Sequence, residues 1–359
     1  MISCMPQTRP RIEWMDLVKG SAILVVVGSH AVILMEPVTH GQPVQTAWSL
    51  LITVLEPMRM ALFFLISGML ATAAIGKPWG KVRRRTWGMT YLYVLWCSIF
   101  FAFVYIYAPL PILEELRWVV RNLLVAGNGY WYLYALILYF FLARVTRRWP
   151  IWILLGVAVL LNLFKSPLLE FNREYFNSLE TGSMMVKILM NLLFFLIGLH
   201  FKELLTQITR FATWPRIVAL SVILIIAGVV RYEVSWFWEQ SFLPASLLFI
   251  VLGIMLSSKL INFAGPRNFG SRIGTQTLPI FVVQFPFMLM LQQVFKNDDI
   301  ALFNGWVFAV TFPIAFTAFV VVFALWLHRI TLNNRARYLF EIPDWVSRER
   351  SRETTAVGS

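Results

Sequence analysis

The sequence predicts an all-α membrane protein, a polytopic bundle of transmembrane helices, and composition and pattern both support that class. The chain of 359 residues is 59% hydrophobic and only 14% charged, whereas soluble domains carry about one quarter charged residues. Apolar runs of roughly 17 to 25 residues recur along most of the chain, and each can cross about 30 Å of hydrocarbon as a helix. A transmembrane β-barrel would instead require short strands of alternating polarity.

The apolar runs predict about ten spans, separated by short breaks that contain charged residues, proline or glycine. The expected spans are 18–36, 57–75, 88–108, 129–143, 149–165, 185–201, 216–231, 242–258, 274–295 and 305–328. They divide the chain into an N-terminal tail (1–16), a transmembrane domain (17–330) and a basic C-terminal tail (331–359). The longest outside loop is expected at 166–184, and the segment from Arg329 on is expected to lie along the inner leaflet.

The distribution of basic residues predicts the orientation. If the N-terminus is cytoplasmic, 23 of the 31 lysines and arginines fall in inside segments, as the positive-inside rule requires. Both termini are therefore expected in the cytoplasm, and the protein is expected to be multi-pass in the plasma (inner) membrane. The net charge of +13 is explained by this topology, so no nucleic-acid partner is expected. The first run has no signal-peptide cleavage site and is expected to remain as a helix.

The first span carries three ionisable residues on one helical face. Asp16, Lys19 and His30 lie in the stretch "DLVKGSAILVVVGSH". Lys19 and His30 are eleven residues apart, which is three turns plus about 20° of rotation and about 16 Å along the axis. Asp16 lies within about 40° of the same direction, and Ile23, Val27 and Leu34 also lie on the stripe.

Two interpretations of this stripe stay open at this point. An ionisable group at membrane depth is costly and usually faces a cavity, so His30 is a functional candidate, but a histidine packed against a neighbouring helix is the alternative. Lys19 is either a ligand contact or a residue that extends to the membrane surface. Asp16 either orients a partner or forms an ion pair with Lys19. A cation at the inner end and a base deeper in the membrane would suit a long phosphorylated donor.

Other polar residues give weaker signals. Glu56 and Arg59 are three residues apart, a spacing that suits an ion pair on a helix. Ser67 and Gly68 are more typical of close helix packing than of a nucleophile. The remaining histidines fall in loops or at span ends, the two cysteines are interpreted as structural, and no spacing predicts a metal site.

Six segments, in order along residues 11 to 330, resemble the acyltransferase family 3 membrane proteins. They are "RIEWMDLVKGSAILVVVGSHA", "RMALFFLISGML", "KVRRRTWGMTYLYVLW", "GYWYLYALILYF", "FFLIGLHF" and "IGTQTLPIFVVQFPF". The first places Lys19 where the family more often has arginine, as in its D-x-x-K-G branch. Lys81 and Arg84 match the family's R-x-x-R only as K-x-x-R, and Gln284 stands where the family usually has histidine.

The resemblance implies transfer of an acyl group, most often acetyl, from cytoplasmic acyl-CoA to a hydroxyl of a carbohydrate or glycolipid acceptor. Acyl-CoA is then a co-substrate, no metal is needed, and the other partners are the acceptor and membrane lipids. His30 becomes the general base or a transient carrier of the acyl group, with Asp16 assigned beside it to the catalytic set.

The resemblance also implies binding residues. Lys19, Lys81 and Arg84 are candidates for the phosphates of coenzyme A, because clustered cations suit a polyanionic donor. Arg83 and Arg85 are explained by topology. The implied acceptor-binding residues are Glu56, Arg59, Trp131 and Gln284, although Trp131 also fits an aromatic belt at the interface and glutamine at 284 retains only hydrogen bonding.

Two alternative functions remain at this stage. A transporter of a lipid-linked sugar or small anion could use the same intramembrane charges, but no inverted repeat is visible and the other spans carry few charges. A catalytically inert family member is the second alternative, which Gln284 and the altered K-x-x-R motif favour modestly.

Overall fold

The computed structural model of the protein describes residues 12–107, 109, 111–176, 179–234, 237, 240–296 and 305–343. Within helices, the side chains of residues 81, 83–85, 172–176 and 179–183 are not described. Helices account for most of the described ranges, and no strand occurs in them. This confirms the predicted all-α class.

Fourteen α-helices are described in those ranges. They are α1 (Glu13–Thr39), α2 (Pro43–Ile75), α3 (Trp79–Tyr107), α4 (Ile112–Leu124), α5 (Trp131–Val145), α6 (Ile151–Leu163), α7 (Lys165–Phe176), α8 (Leu179–His200), α9 (Lys202–Ile208), α10 (Trp214–Glu233), α11 (Phe242–Leu260), α12 (Ala264–Phe269), α13 (Thr277–Phe295) and α14 (Trp306–Thr331). A π-helical turn spans Gly270–Gly274, and short 3₁₀ turns span Thr209–Phe211 and Arg335–Leu339.

Seven of these helices are long and apolar enough to cross a membrane, and the number rises to nine if each of two bent helix pairs is one span. The bends are 67° between α6 and α7 and 84° between α8 and the segment that follows it. The predicted span 129–143 corresponds to α5, which has 15 residues. At 1.5 Å per residue α5 is about 22 Å long, short of the roughly 30 Å of hydrocarbon. The described residues therefore give seven to nine spans, fewer than the ten predicted.

Two segments predicted as loops are helical. α2 begins at Pro43, fourteen residues before the predicted start of its span at 57. Gly41 precedes it with a φ of +82°, a conformation that glycine adopts readily, and proline is favoured in the first turn of a helix. The predicted outside loop at 166–184 contains α7 and the beginning of α8. Polar composition suggested a loop, but α7 is a helix with little apolar character.

The chain divides into two compact units, and the first comprises Met1–Ile66, Phe201–Phe281 and Val294–Val321. Its core includes a cluster between α10 and α11, formed by residues such as Leu224, Phe249 and Met255. Gly228 of α10 lies so close to α2 that an added Cβ would come within 2.5 Å of the Val54 side chain. Small residues at such crossings are typical of membrane helix packing.

The second unit comprises Ser67–His200, Val282–Gln293 and Val322–Ser359. Here the end of α2 crosses α8 at Gly68, where an added Cβ would lie 2.1 Å from the carbonyl oxygen of Phe195. One turn later Thr72 donates a hydrogen bond to the carbonyl of Leu199 over 3.1 Å, and Ser67 is hydrogen-bonded to the Tyr132 hydroxyl at 2.8 Å. The prediction that Ser67 and Gly68 serve helix packing is confirmed.

Replacing Gly68 with alanine is expected to destabilise the second unit. The new methyl group would meet backbone atoms of α8, which cannot rotate away, and overpacking of this kind costs about 1–3 kcal/mol. Thermal unfolding in detergent should show a lower midpoint for Gly68→Ala. Gly156→Ala in α6 is the matched control, because nothing lies within 4 Å of a Cβ there. Equal midpoints for the two variants would contradict the close crossing.

The C-terminal segment packs against α3 within the second unit. Tyr91 donates to the carbonyl of Tyr338 at 3.0 Å, and the Trp96 indole donates to that of Leu339 at 2.8 Å. Phe340 is buried against the Trp96 ring at a centroid distance of 5.7 Å. The described part of this segment, which ends at residue 343, therefore packs against the helices of its own unit.

Candidate active site

The first turns of α1 contain the predicted ion pair. The Lys19 Nζ atom lies 2.9 Å from Asp16 Oδ1, with the two side chains 19% and 11% exposed. The three-residue spacing brings both groups to one side of the helix. Of the alternatives for Asp16, the structure supports pairing with Lys19. Because α1 continues without interruption to Thr39, Asp16 lies about 21 Å along the axis from His30.

This end of α1 is packed against the π-helical turn. A Cβ added at Gly274 would lie 1.8 Å from the carbonyl oxygen of Asp16, and one added at Gly270 would lie 3.0 Å from the Leu17 backbone. A Cβ added at Gly20 would in turn lie 3.2 Å from the amide nitrogen of Gly274. π-helical turns occur frequently at functional sites. The first and last motif segments predicted from the sequence are therefore in direct contact in the first unit.

His30 lies on the buried stripe of α1. Ile23 and Val27, which were predicted to share its face, are both fully buried, and His30 itself is half-buried. On the other side of α1, about 200° around the helix from His30, Gly28 approaches α14, where an added Cβ would lie 3.6 Å from the Thr317 hydroxyl. The imidazole thus projects on the protein-facing side of α1, about 16 Å along the axis from Lys19.

Glu56 pairs with Arg231, a residue that sequence reasoning did not select. Arg231 Nη2 lies 3.0 Å from Glu56 Oε2, and Nη1 donates to the carbonyl of Thr53 at 3.2 Å. The Arg231 guanidinium lies 5.5 Å from the centre of the Phe242 ring. Glu56 therefore bonds directly to Arg231 instead of Arg59, although its charge still acts on Arg59. The sequence does show that Arg231 is an arginine at the end of an apolar run. Its pairing with Glu56 could not be predicted, because the two residues are 175 positions apart in sequence.

Arg59 lies in the middle of α2. It follows Pro43 by sixteen residues in a helix of 33 residues, which places it about 24 Å from the start of the helix. Its Nη1 atom is buried and has no hydrogen-bond partner among the described residues. A buried nitrogen donor without a hydrogen-bond partner is costly and uncommon in native proteins.

Removing Arg231 is expected to destabilise the first unit, because it leaves the Glu56 carboxylate without its partner. Breaking a buried ion pair costs about 3–5 kcal/mol, and we expect the lower end because the Glu56 side chain is 28% exposed. Arg231→Met should lower the midpoint of thermal unfolding, and the double variant Glu56→Gln with Arg231→Met should recover part of the loss. Identical midpoints for wild type and Arg231→Met would contradict the pairing.

The remaining predicted site residues belong to the second unit. Gln284 is fully buried in α13 and Trp131, half-buried, begins α5. Two of the motif segments meet there, because the Tyr130 hydroxyl donates to the carbonyl of Val282 at 3.0 Å and its ring lies 4.9 Å from Phe285. The side chains of Lys81 and Arg84, and those of Arg83 and Arg85, lie outside the described residues.

Comparison with known proteins supports one family. A family model described as "Acyltransferase domain" matches residues 12–328. The Inner membrane protein YcfT of Escherichia coli (strain K12) is 28% identical over 172 residues, which cover 41% of this chain and 48% of YcfT. The match thus spans about half the length of that relative. No solved structure matches the chain. With the family model covering nearly all of the helical region, the chain belongs to acyltransferase family 3.

Proposed function

We propose that this protein is a membrane O-acyltransferase that moves an acyl group, most readily acetyl, from cytoplasmic acyl-CoA to a hydroxyl of a carbohydrate or glycolipid acceptor. Family membership supports the reaction class. The observation that carries the proposal is the arrangement of α1, where the ion-paired Lys19 and the half-buried His30 share a face whose apolar members are buried. The apolar spans and the name of the relative support placement in the inner membrane.

The proposed chemistry is general-base catalysis by His30. The neutral imidazole accepts the proton of the acceptor hydroxyl as its oxygen attacks the thioester carbonyl. The carbon–sulfur bond then breaks, and the coenzyme A thiolate takes the proton from the imidazolium. Atoms and charges balance, and the products are an ester and free coenzyme A. In the alternative, His30 itself attacks the thioester and carries the acyl group before the acceptor receives it.

Basic residues serve the donor in this proposal. Lys19, Lys81 and Arg84 are the proposed contacts for the phosphates of coenzyme A, since lysine and arginine bind phosphate through charge-assisted hydrogen bonds. Asp16 holds the ammonium group of Lys19 at 2.9 Å. It is therefore a positioning residue, because it lies too far along α1 to touch the reacting atoms. The proposed acceptor contacts are Glu56, Arg59, Trp131 and Gln284.

The test uses membranes that contain the full chain and matched membranes that lack it. Each is supplied with acetyl-CoA or succinyl-CoA labelled in the acyl group, and the lipid and glycan fractions are analysed for label that mild alkali releases. We expect alkali-labile label only where the protein is present, with acetyl exceeding succinyl. Equal label in both membranes for every donor would contradict the proposal.

A further inference from the structure

We propose that the turn after α14 binds the phosphate group of an anionic phospholipid, whose acyl chains lie along the exposed face of that helix. The turn and the last part of α14, from Val322 on, belong to the second unit. The site is independent of the acyl transfer proposed above. It is argued from a pocket, from the charges that line the pocket and from the apolar surface beside it.

A pocket of about 460 Å³ opens at the end of α14. Its lining is formed by Leu332, Asn333, Asn334, Arg335, Arg337 and Tyr338. Small-molecule pockets in proteins measure roughly 300–1,000 Å³, so the space is large enough for a phosphate-containing headgroup. The lining carries the positive charges of two arginines and no negative charge. Glu341, the next acidic residue along the chain, is not part of it.

The turn is held in shape by hydrogen bonds at both of its ends. The Asn334 side chain accepts a hydrogen bond from the amide of Ala336 at 2.8 Å and donates one to the carbonyl of Ile330 at 3.1 Å. At the far end, the Tyr91 hydroxyl of α3 donates to the carbonyl of Tyr338. A pocket whose backbone is already ordered loses less conformational freedom when it binds a ligand.

Two guanidinium groups make this pocket suitable for phosphate. Arg337 is half-buried and donates to the Tyr338 hydroxyl at 3.2 Å, with its guanidinium carbon 5.1 Å from the centre of the Tyr338 ring. This contact fixes the direction of the Arg337 side chain, whereas Arg335 is exposed. Guanidinium groups bind phosphate through parallel, charge-assisted hydrogen bonds. The lining therefore matches an anionic oxygen group better than a neutral ligand.

An exposed apolar stripe leads along α14 to the pocket. Val322, Trp326 and Ile330 recur every four residues, and they are 67%, 53% and 46% exposed. Residues at this spacing lie on one side of a helix. On a membrane-spanning helix such a side faces lipid, and tryptophan is enriched where the hydrocarbon meets the headgroups. The stripe therefore suits acyl chains, and the pocket lies at the end of the stripe where the headgroup would be.

The charge at this end of α14 favours a lipid with a net negative headgroup. Arg329 lies in the last turn of the helix, directly before the pocket. The distribution of basic residues predicts that this end is cytoplasmic, and basic pockets on that side of a membrane protein bind anionic headgroups. A zwitterionic headgroup would bring its own cation close to the arginines. We therefore expect phosphatidylglycerol to bind more tightly than phosphatidylcholine.

Titration of the full chain with lipid tests the site directly. The protein is delipidated in a neutral detergent and titrated with phosphatidylglycerol, phosphatidylcholine or glycerol 3-phosphate, and the bound molecules are counted by native mass spectrometry. We expect phosphatidylglycerol to bind at a lower concentration than either of the others. Equal binding of the two lipids would overturn the inference, as would absence of phosphatidylglycerol binding. Tighter binding of glycerol 3-phosphate would identify a site for soluble phosphate and would contradict the lipid assignment.

Variants of the two arginines assign the binding to the pocket. Loss of one basic residue near a membrane surface weakens binding of an anionic lipid about fivefold, and loss of two about thirtyfold. We expect the first value for Arg335→Gln, which changes an exposed side chain, and the second for Arg335→Gln combined with Arg337→Gln. The matched control is Arg210→Gln combined with Arg216→Gln, which removes two exposed arginines of the first unit. An unchanged affinity in Arg335→Gln, or an equal loss in the control, would rule the pocket out as the binding site.

Discussion

His30→Gln is expected to lower the rate of acyl transfer by about 10²–10⁴-fold, the usual contribution of a general base, while acyl-CoA still binds. Glutamine keeps a polar side chain at this depth but cannot accept the proton of a hydroxyl. Ser29→Ala is the matched control, because the neighbouring Ser29 hydroxyl donates within its own helix, to the carbonyl of Val25 at 2.6 Å. Its rate should stay close to that of wild type.

The same variant separates the two roles that remain open for His30. Wild-type protein is mixed with labelled acetyl-CoA without acceptor and quenched within a turnover. Label bound covalently to wild type but not to His30→Gln would identify an acyl carrier, and unlabelled protein that still transfers acyl groups would identify a general base. If His30→Gln transfers acyl groups at the wild-type rate, both roles are wrong.

Gly274→Ala is expected to destabilise the first unit strongly at the candidate site. An added Cβ would lie 1.8 Å from the carbonyl oxygen of Asp16 and 2.5 Å from its carbonyl carbon. Both are backbone atoms, so α1 or the π-helical turn must move as a whole. We expect a cost at or above the about 1–3 kcal/mol typical of overpacking, measured as a lower midpoint of thermal unfolding.

Movement of α1 should also affect the donor end of the site. The Asp16–Lys19 pair lies at the contact with Gly274, so any Gly274→Ala protein that folds should show a higher KM for acyl-CoA. Gly265→Ala in the adjacent α12 is the control, because nothing lies within 4 Å of a Cβ there. An unfolding midpoint and KM that match this control would show that the close contact is not required.

Local features of the site were predictable from the sequence because helical spacing alone determines them. The Asp16–Lys19 pair needs only a three-residue separation on one helix. The burial of Ile23 and Val27 on the His30 face follows from the same periodicity. The packing role of Gly68 was likewise indicated by its small size in an apolar run.

Features that depend on the approach of distant segments were missed. Arg231 was selected by no motif, because its partner Glu56 becomes visible only when α10 packs against α2. Spacing on a single helix favoured Arg59 as that partner instead. The contact of Gly274 with Asp16 and the packing of Leu339 on α3 also join residues far apart in sequence, and no local pattern specifies them.

Span boundaries failed for a physical reason as well. Hydropathy measures how apolar a run is, but a helix can extend beyond its apolar part. α2 therefore begins at Pro43, where the sequence is still partly polar. Conversely, α5 is apolar except for Arg144 in its last turn, yet it is too short to cross the hydrocarbon as a single straight helix.

Sealed vesicles with the cytoplasmic face outward test the central claim most directly. Labelled acetyl-CoA is supplied only outside, with acceptor available in the bilayer and the lumen, and the label is recovered as alkali-labile ester on the acceptor. The account predicts ester formation with stoichiometric release of coenzyme A, and its loss in His30→Gln. Acceptor that crosses the bilayer unmodified while acetyl-CoA remains intact would contradict acyl transfer and favour a transporter.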